Sequence, residues 1–299
     1  MTTPKFSRVL LIVNPASRRG GKIAGKAAKA FRDAGVALDV MTTEAPGHAA
    51  ELAARHGREY DAVFTLGGDG TAIEVVGALS HTGPPVGILP GGTGNVVART
   101  LGTSGNVRKA VKSLLAGDEA RIDLGLLSTG HRFMIGMGVG LDATMIAFAP
   151  GPLKRRIGFF AYVIAAARAF VLLEKFAVRL TVDGTLIEEK ASAVLIANFG
   201  AVMNDLLAFG DGIRRDDGML NACIYSPDNR VDAIRILWRM TQKHFGPDPC
   251  IRYASGSVFR VETTPARLGQ ADGELIGNSP FELTVEPLAA RVLIPKGAH

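Results

Sequence analysis

Over its first 120 residues the chain alternates short apolar runs with helix-like runs, and its glycines collect where the apolar runs end. Arg8–Asn14 reads as a strand and Gly21–Ala34 as an Ala/Lys helix closed by Gly35. Val36–Thr42, Asp61–Leu66 and Val86–Leu89 read as further strands. Ala49–His56, Thr71–Leu79, Asn95–Leu101 and Val107–Ala116 read as helices. That rhythm argues for a parallel sheet covered on both faces. In such sheets ligands bind outside the carboxyl ends of the strands, which is where the Gly-rich segments fall.

After about Asp123 the rhythm changes. Arg132–Met137, Ala177–Val182, Ala191–Phe199, Leu220–Tyr225, Ser257–Glu262, Phe281–Glu286 and Ala290–Ile294 read as short strands. Asp183-Gly184, Asp217-Gly218 and Asp272-Gly273 read as turns between them, with helices at Ile157–Leu173 and Val231–Met240. This half is expected to be an antiparallel sandwich or barrel. The 299 residues suit about two domains, and no Ser/Pro linker separates them.

Apolar residues at 47% and charged residues at 21% exclude disorder and fibres. Glycine, 36 of 299 residues, is in excess without a Gly-X-Y period and should mark turns and close approaches to a ligand. A net charge of +6 suggests an anionic partner: nucleic acid, a nucleotide or an anionic membrane. Aromatic residues at 6%, with Trp238 the one tryptophan, are thin for a stacking nucleic-acid binder. Cys223 and Cys250 form no CxxC, which points to a reducing cytosol. The apolar run Val9–Val13 is too short for a secretory core. Ile157–Leu173 carries Arg168 and follows Lys154, Arg155 and Arg156, so it reads as a buried or interfacial helix.

Gly67-Gly68-Asp69-Gly70-Thr71 joins a strand to a helix. Consecutive glycines let backbone N–H groups approach phosphate oxygens, and the helix dipole adds to that. Asp69 puts a carboxylate where anions would bind, so it needs a metal, a donor hydroxyl or a proton. The competing reading is a tight turn with Thr71 as N-cap. A second loop, Gly91-Gly92-Thr93-Gly94-Asn95, again joins strand to helix, and the two would face each other across one crevice. Asn14-Pro15, followed by Arg18, Arg19, Gly20, Gly21 and Lys22, ends the first strand in the same location. Gly20 to Lys26 imitates a P-loop, but Ala27 stands where a P-loop needs Ser or Thr, and the stretch lies in a helix.

Asp272 and Glu274 flank Gly273 and would point the same way on an extended segment; an ordinary hairpin turn is the equal alternative. Asp216-Asp217-Gly218 is a turn by default, with a metal site as the minority reading. Gly136, Gly138 and Gly140 suit a close-packed strand. The histidines show no metal spacing, and no G-x-S-x-G elbow occurs.

The ordered set of Asn14-Pro15, Thr42-Thr43-Glu44, Gly67–Thr71, Gly91–Asn95, Ile122-Asp123-Leu124-Gly125 and Asp272-Gly273-Glu274 resembles the diacylglycerol kinase catalytic family, which includes sphingosine and ceramide kinases. The resemblance implies an α/β domain like phosphofructokinase and NAD kinase over 1–123, to which 281–299 return, and a C-terminal β-sandwich over 124–280. It implies ATP on Asn14, Thr43, Gly67, Gly68, Asp69, Gly70, Thr71 and Thr93. Glu274, with Asp272, would sit at the reacting centre, Glu274 as base; sphingosine-kinase relatives give that role to the residue matching Asp69. Asp123 matches a lipid head-group ligand. Asp217, with the carbonyls of Arg214 and Met219, matches a structural magnesium site. One departure is Asn95-Val96, where many bacterial members have Asn-Asp.

The implied activity is ATP- and Mg2+-dependent phosphorylation of a diacylglycerol-like or ceramide/sphingoid-like alcohol, by a cytoplasmic protein at an anionic membrane surface. A homodimer is open, and nucleic acid is not an expected partner. The alternatives are NAD kinase, whose Asn-x-Gly-x-Leu-Gly-Phe segment is missing, and a non-catalytic lipid- or nucleotide-binding regulator, which would not need its carboxylates.

Overall fold

The computed structural model describes residues 5–140, 174–202 and 207–297, which form two compact units, Met1–Ile122 with Leu288–His299 and Asp123–Pro287. The expected helix Ile157–Leu173 and its basic run Lys154–Arg156 lie outside the described residues.

In the first unit β1 (Arg8–Val13), β2 (Ala37–Thr42), β3 (Ala62–Gly67) and β4 (Val86–Pro90) pair in parallel in the order β2-β1-β3-β4. Strand β3 is buried at every position, which requires cover on both faces and explains its unbroken apolar run. Helix α1 (Gly20–Asp33) buries Ile23, Ala27, Ala30 and Phe31, and α5 (Val107–Leu115) buries Val107, Ala110, Val111 and Leu114. Both sets follow the helical spacing that makes one apolar face. Phe31 meets Phe64 edge to face with ring centroids 4.8 Å apart. Helix α2 (His48–His56) has no side-chain cap of its own; Glu74 of α3 (Asp69–Ala78) accepts from Gly47 N and Ala49 N at 3.1 and 3.2 Å instead. The unit continues through α4 (Val96–Thr100) into β5 (Asp118–Leu127), whose later residues belong to the second unit.

The second unit is an antiparallel sandwich. One sheet has β7 (Gly136–Gly140), β10 (Ala193–Ala197), β13 (Leu220–Tyr225), β14 (Ile251–Gly256), β16 (Leu268–Ala271) and β17 (Glu274–Asn278) in the order β14-β13-β10-β7-β16-β17. The other pairs β8 (Phe176–Val182) with β9 (Thr185–Ala191) and β15 (Val258–Thr264), and β15 with the start of β18 (Phe281–Ile294). Alternate residues of β8, Phe176, Val178, Leu180 and Val182, join Val139, Val194 and Ile224 from the first sheet in one core. Asp183-Gly184, both at positive φ, closes the β8–β9 hairpin with two residues. Short β6 (Arg132–Phe133) pairs with β5, β11 (Ala201–Val202) with β12 (Leu207–Ala208), and α6 (Arg230–Gln242) completes the unit.

Three expectations need correction. Arg132–Met137 is not one strand, because Met134 and Ile135 leave the ladder between β6 and β7 and turn their N–H groups to Asp272. Asp217-Gly218 is no hairpin turn; it lies in the loop before β13. The two runs at 281–286 and 290–294 are the single strand β18, which continues through Pro287 and through Leu288 at φ 48°. Its last residues return to the first unit, where Val292 pairs with Val86 of β4.

Candidate active site

In the first unit three loops meet at the carboxyl ends of β1, β3 and β4. Asn14 N donates to Leu66 O at 3.0 Å, Arg19 N to Gly91 O at 2.9 Å, and Gly91 N to Gly67 O at 2.8 Å. Main-chain bonds therefore link all three. The approach is close enough to exclude side chains: a Cβ on Gly92 would sit 2.7 Å from the Cα of Gly68. Helix α3 begins at Asp69 with Gly68 as N-cap, so Thr71 is not the cap; it is buried in the first turn, where its Oγ1 accepts from Asn14 Nδ2 at 3.0 Å. The first N–H groups of α3 have no partner inside the helix and carry its positive end, the arrangement that receives a phosphate.

Asp69 ties the two Gly-rich loops together. Its Oδ1 accepts from Val97 N at 2.9 Å, capping the start of α4. Burial pushes its carboxyl up, and the N–H groups of Val97 and Val96 and the more distant Arg99 act against that shift. Asn95 holds a left-handed backbone at φ 48° and closes the second loop on itself, accepting from Gly92 N at 2.8 Å and donating to Gly92 O at 2.9 Å. Asn95, expected as the first residue of the helix Asn95–Leu101, instead stands before α4 as its N-cap residue. Thr43 is buried directly after β2 with its N–H on Val13 O, and Thr93 is half-buried in the second loop. Arg18, Arg19 and Lys22 are exposed beside Asn14 in the chain. The imitation P-loop, Gly20 to Lys26, lies within α1.

The other candidates belong to the second unit. Asp272 and Gly273, at φ 47° and 92°, form the two-residue turn between β16 and β17, where Ala271 pairs with Glu274. This corrects the extended reading of Asp272-Gly273-Glu274. The Asp272 carboxylate accepts from three successive backbone amides, Met134 N, Ile135 N at 2.8 Å and Gly136 N at 3.0 Å. It clamps that segment and so differs from Glu274, which is exposed at the head of β17.

Asp123 is fully buried; its N–H donates to Arg215 O at 2.7 Å and its Oδ2 accepts from Gly218 N at 2.8 Å. It anchors the loop that holds Arg214, Asp217 and Met219. Asp217 Oδ1 accepts from Met219 N at 3.1 Å and the side chain is exposed. A carboxylate with the two carbonyls of Arg214 and Met219 is an all-oxygen donor set, which fits a hard divalent cation. Among the described residues one side-chain trio brings ligand atoms within 4.8 Å of one another: Asp228, Asp232 and Cys250. These are already engaged. Asp228 pairs with Lys175, Asp232 with Arg235, and Cys250 Sγ accepts from Arg235.

The sequence reading missed Asn198, wholly buried directly after β10. Its Nδ2 donates to Asp123 O at 2.7 Å and to Met134 O at 2.8 Å. An asparagine inside the apolar run Ala191–Phe199 was the one signal available.

Residues 8–127 match the model of the diacylglycerol kinase catalytic domain, and residues 136–294 that of the YegS C-terminal NAD kinase beta sandwich-like domain. A diacylglycerol kinase of Bacillus subtilis is 28% identical over 97% of both chains. One from Staphylococcus saprophyticus is 25% identical over 83% of this chain and 81% of its own. An uncharacterized protein of Synechocystis is 28% identical over 78% of this chain, which spans about half, 54%, of that protein's length. A crystal structure of a diacylglycerol kinase from Bacillus anthracis superposes with a TM-score of 0.76 at 21% identity, over 99% of this chain and all of that one. A second structure from that organism reaches 0.82 at 24%, over 98% of each chain; at these identities both speak for the fold. No helix among the described residues is long and apolar enough to cross a membrane.

Proposed function

The chain belongs to the diacylglycerol kinase catalytic family, and from that premise we propose that it transfers the γ-phosphate of ATP to the hydroxyl of a diacylglycerol-like or ceramide/sphingoid-like lipid at an anionic membrane surface. The observation that carries this reading is the junction of two Gly-rich loops, bonded main chain to main chain from Gly91 to Gly67 and bridged by Asp69 to the start of α4. Such a junction presents backbone donors to an anion without side chains in the way, and phosphoryl transfer depends on positioning and charge neutralisation.

Asn14, Thr43, Gly67 to Thr71 and Thr93 hold the nucleotide in this reading. Glu274 accepts the hydroxyl proton as the lipid oxygen bonds to the γ-phosphorus and the bond to the β-phosphate oxygen breaks, releasing ADP. Glu274 is exposed, whereas the carboxylate of Asp69 is committed to Val97 and that of Asp272 to three amides. Asp123 and Asn198 position the segments around 134–136 and 214–219. When bound, a divalent ion such as magnesium would supply charge neutralisation, and the Asp217 carboxylate with the carbonyls of Arg214 and Met219 would supply the oxygen donors for a structural ion.

The test is a labelled-ATP screen with magnesium, offering diacylglycerol, ceramide, sphingosine and phosphatidylglycerol in anionic mixed micelles, with NAD in a parallel well. Label in one lipid is expected. Label in NAD alone, or none anywhere while ATP still binds, overturns the reading.

A further inference from the structure

Helix α6 is apolar on two opposite sides. Its inner side buries Ala233 and Ile236, and Ile236 packs with Cys223, Tyr225 and Cys250 of the sandwich unit. Its outer side carries Val231, Ile234 and Trp238, which are 73%, 69% and 65% exposed. Their spacing of three and then four residues sets them on one ridge. Three large apolar side chains in a row, each about two-thirds in water, oppose the burial that drives folding and call for a partner.

We propose that this ridge docks the protein on an anionic bilayer, with Trp238 at the depth of the lipid head groups. The inference rests on the lipid-kinase reading, since that substrate has to be met at a membrane. Two further observations select the occupant. Arg230, at the start of the helix beside Val231, and Lys243, just past its end, are exposed cations. The carboxylates of the same segment are taken: Asp228 by Lys175, Asp232 and Asp248 by Arg235. A surface of that sign is drawn to anionic head groups, and tryptophan with aliphatic side chains on such a ridge suits shallow insertion. The second observation is size. At those exposures the three side chains offer roughly 400 Å², about half of the ~800 Å² per partner that a stable protein dimer buries. That is too little for a second copy, while a bilayer needs no matching surface.

Trp238 is the only tryptophan of the chain, so its emission reports this ridge and nothing else. The experiment titrates the whole chain, without nucleotide, with vesicles of phosphatidylcholine alone and of phosphatidylcholine mixed with phosphatidylglycerol. Expected are a blue shift with the anionic vesicles only, reversal by salt, and at least a tenfold weaker response in Ile234→Glu and in Arg230→Glu. An unshifted tryptophan while the protein co-sediments with vesicles overturns the proposal, as does a shift that grows with protein concentration in the absence of lipid, which would mark a second copy.

A parallel assay on a short-chain, monomeric diacylglycerol separates this from the kinase reading. Transfer by both wild type and Ile234→Glu there, with only the variant failing on vesicles, supports docking. Equal transfer by both on vesicles overturns docking and leaves the kinase reading intact. Transfer by neither on any lipid overturns the kinase reading, and the fluorescence result then decides docking alone.

Discussion

Asp69 is where fold and chemistry compete for one side chain. Its Oδ1 caps α4 through Val97 N, and burial raises its carboxyl above the ordinary range. A carboxyl raised in the folded state is better tolerated protonated than charged. The native state therefore gains stability as pH falls through the folded value toward the unfolded one, near 3.9, and loses it as pH rises. Asp69→Asn keeps an acceptor for Val97 and removes the charge. It is expected to melt at a higher temperature than wild type at pH 8, by a margin that shrinks to nothing below about pH 4, while phosphoryl transfer falls at every pH. Asp69→Ala loses the cap as well and should be less stable than Asp69→Asn by about 1 kcal/mol. Thermal melts of the three proteins at pH 4 and 8 check this; a wild type more stable than Asp69→Asn at pH 8 would sink the assignment.

At the scale of elements, the β16–β17 turn places two acidic residues with opposite duties two positions apart. Asp272 holds Met134, Ile135 and Gly136 by their amides, and hydrogen bonds to an ionised group contribute about 1.5–3 kcal/mol net. Asp272→Ala should thus lower stability by at least about 2 kcal/mol in urea titration, through a segment more than 130 residues away in the chain. Glu274→Gln, exposed at the next strand's head, should leave the urea midpoint unchanged and abolish transfer. A Glu274→Gln protein with wild-type turnover removes Glu274 from the mechanism. Elements like these were legible when their signal was local. The Gly-rich loops, the Asp183-Gly184 hairpin and the helices α1 and α5 depend on residues within a few positions of one another. Strands β9 and β14 were missed because charged and polar residues, Glu188, Glu189 and Lys190 in one and Arg252 and Tyr253 in the other, break the apolar pattern; both lie at sheet edges, where charges guard the unpaired backbone. Proline made β18 read as two strands. Asn198 was out of reach for a different cause, since its partners lie 75 and 64 residues away and nothing nearby encodes them.

For the whole molecule the decisive feature is that the first unit is not finished until the last residues arrive. Residues 1–122 supply β1 to β4, but β4 lacks its second neighbour until β18 pairs Val292 with Val86. Val292, Leu293 and Ile294 are buried, at 0%, 1% and 5% exposure. Arg291 grips Glu119 with both arms, at 2.6 and 2.9 Å, and the Gly83 carbonyl at 3.1 Å, while Ala289 O receives His81 N. The Arg291–Glu119 pair is only part-buried and contributes about 1 kcal/mol or less. Arg291 holds the Glu119 carboxyl below its ordinary range, so that contribution is present at neutral pH and disappears as acid protonates Glu119. The apolar residues carry the rest, at about 1.5–3 kcal/mol for each large side chain fully buried. Against a typical domain stability of about 5–15 kcal/mol, losing Val292, Leu293 and Ile294 together is enough to unfold the unit. A chain ending at Pro287 is therefore expected to keep the sandwich and lose the first unit. Hydrogen exchange should show amides of β1, β3 and β4 exchanging at unfolded rates while those of β8, β10 and β13 stay protected. Full protection of β1 and β3 in that truncated chain would mean that the N-terminal sheet closes without its returning strand.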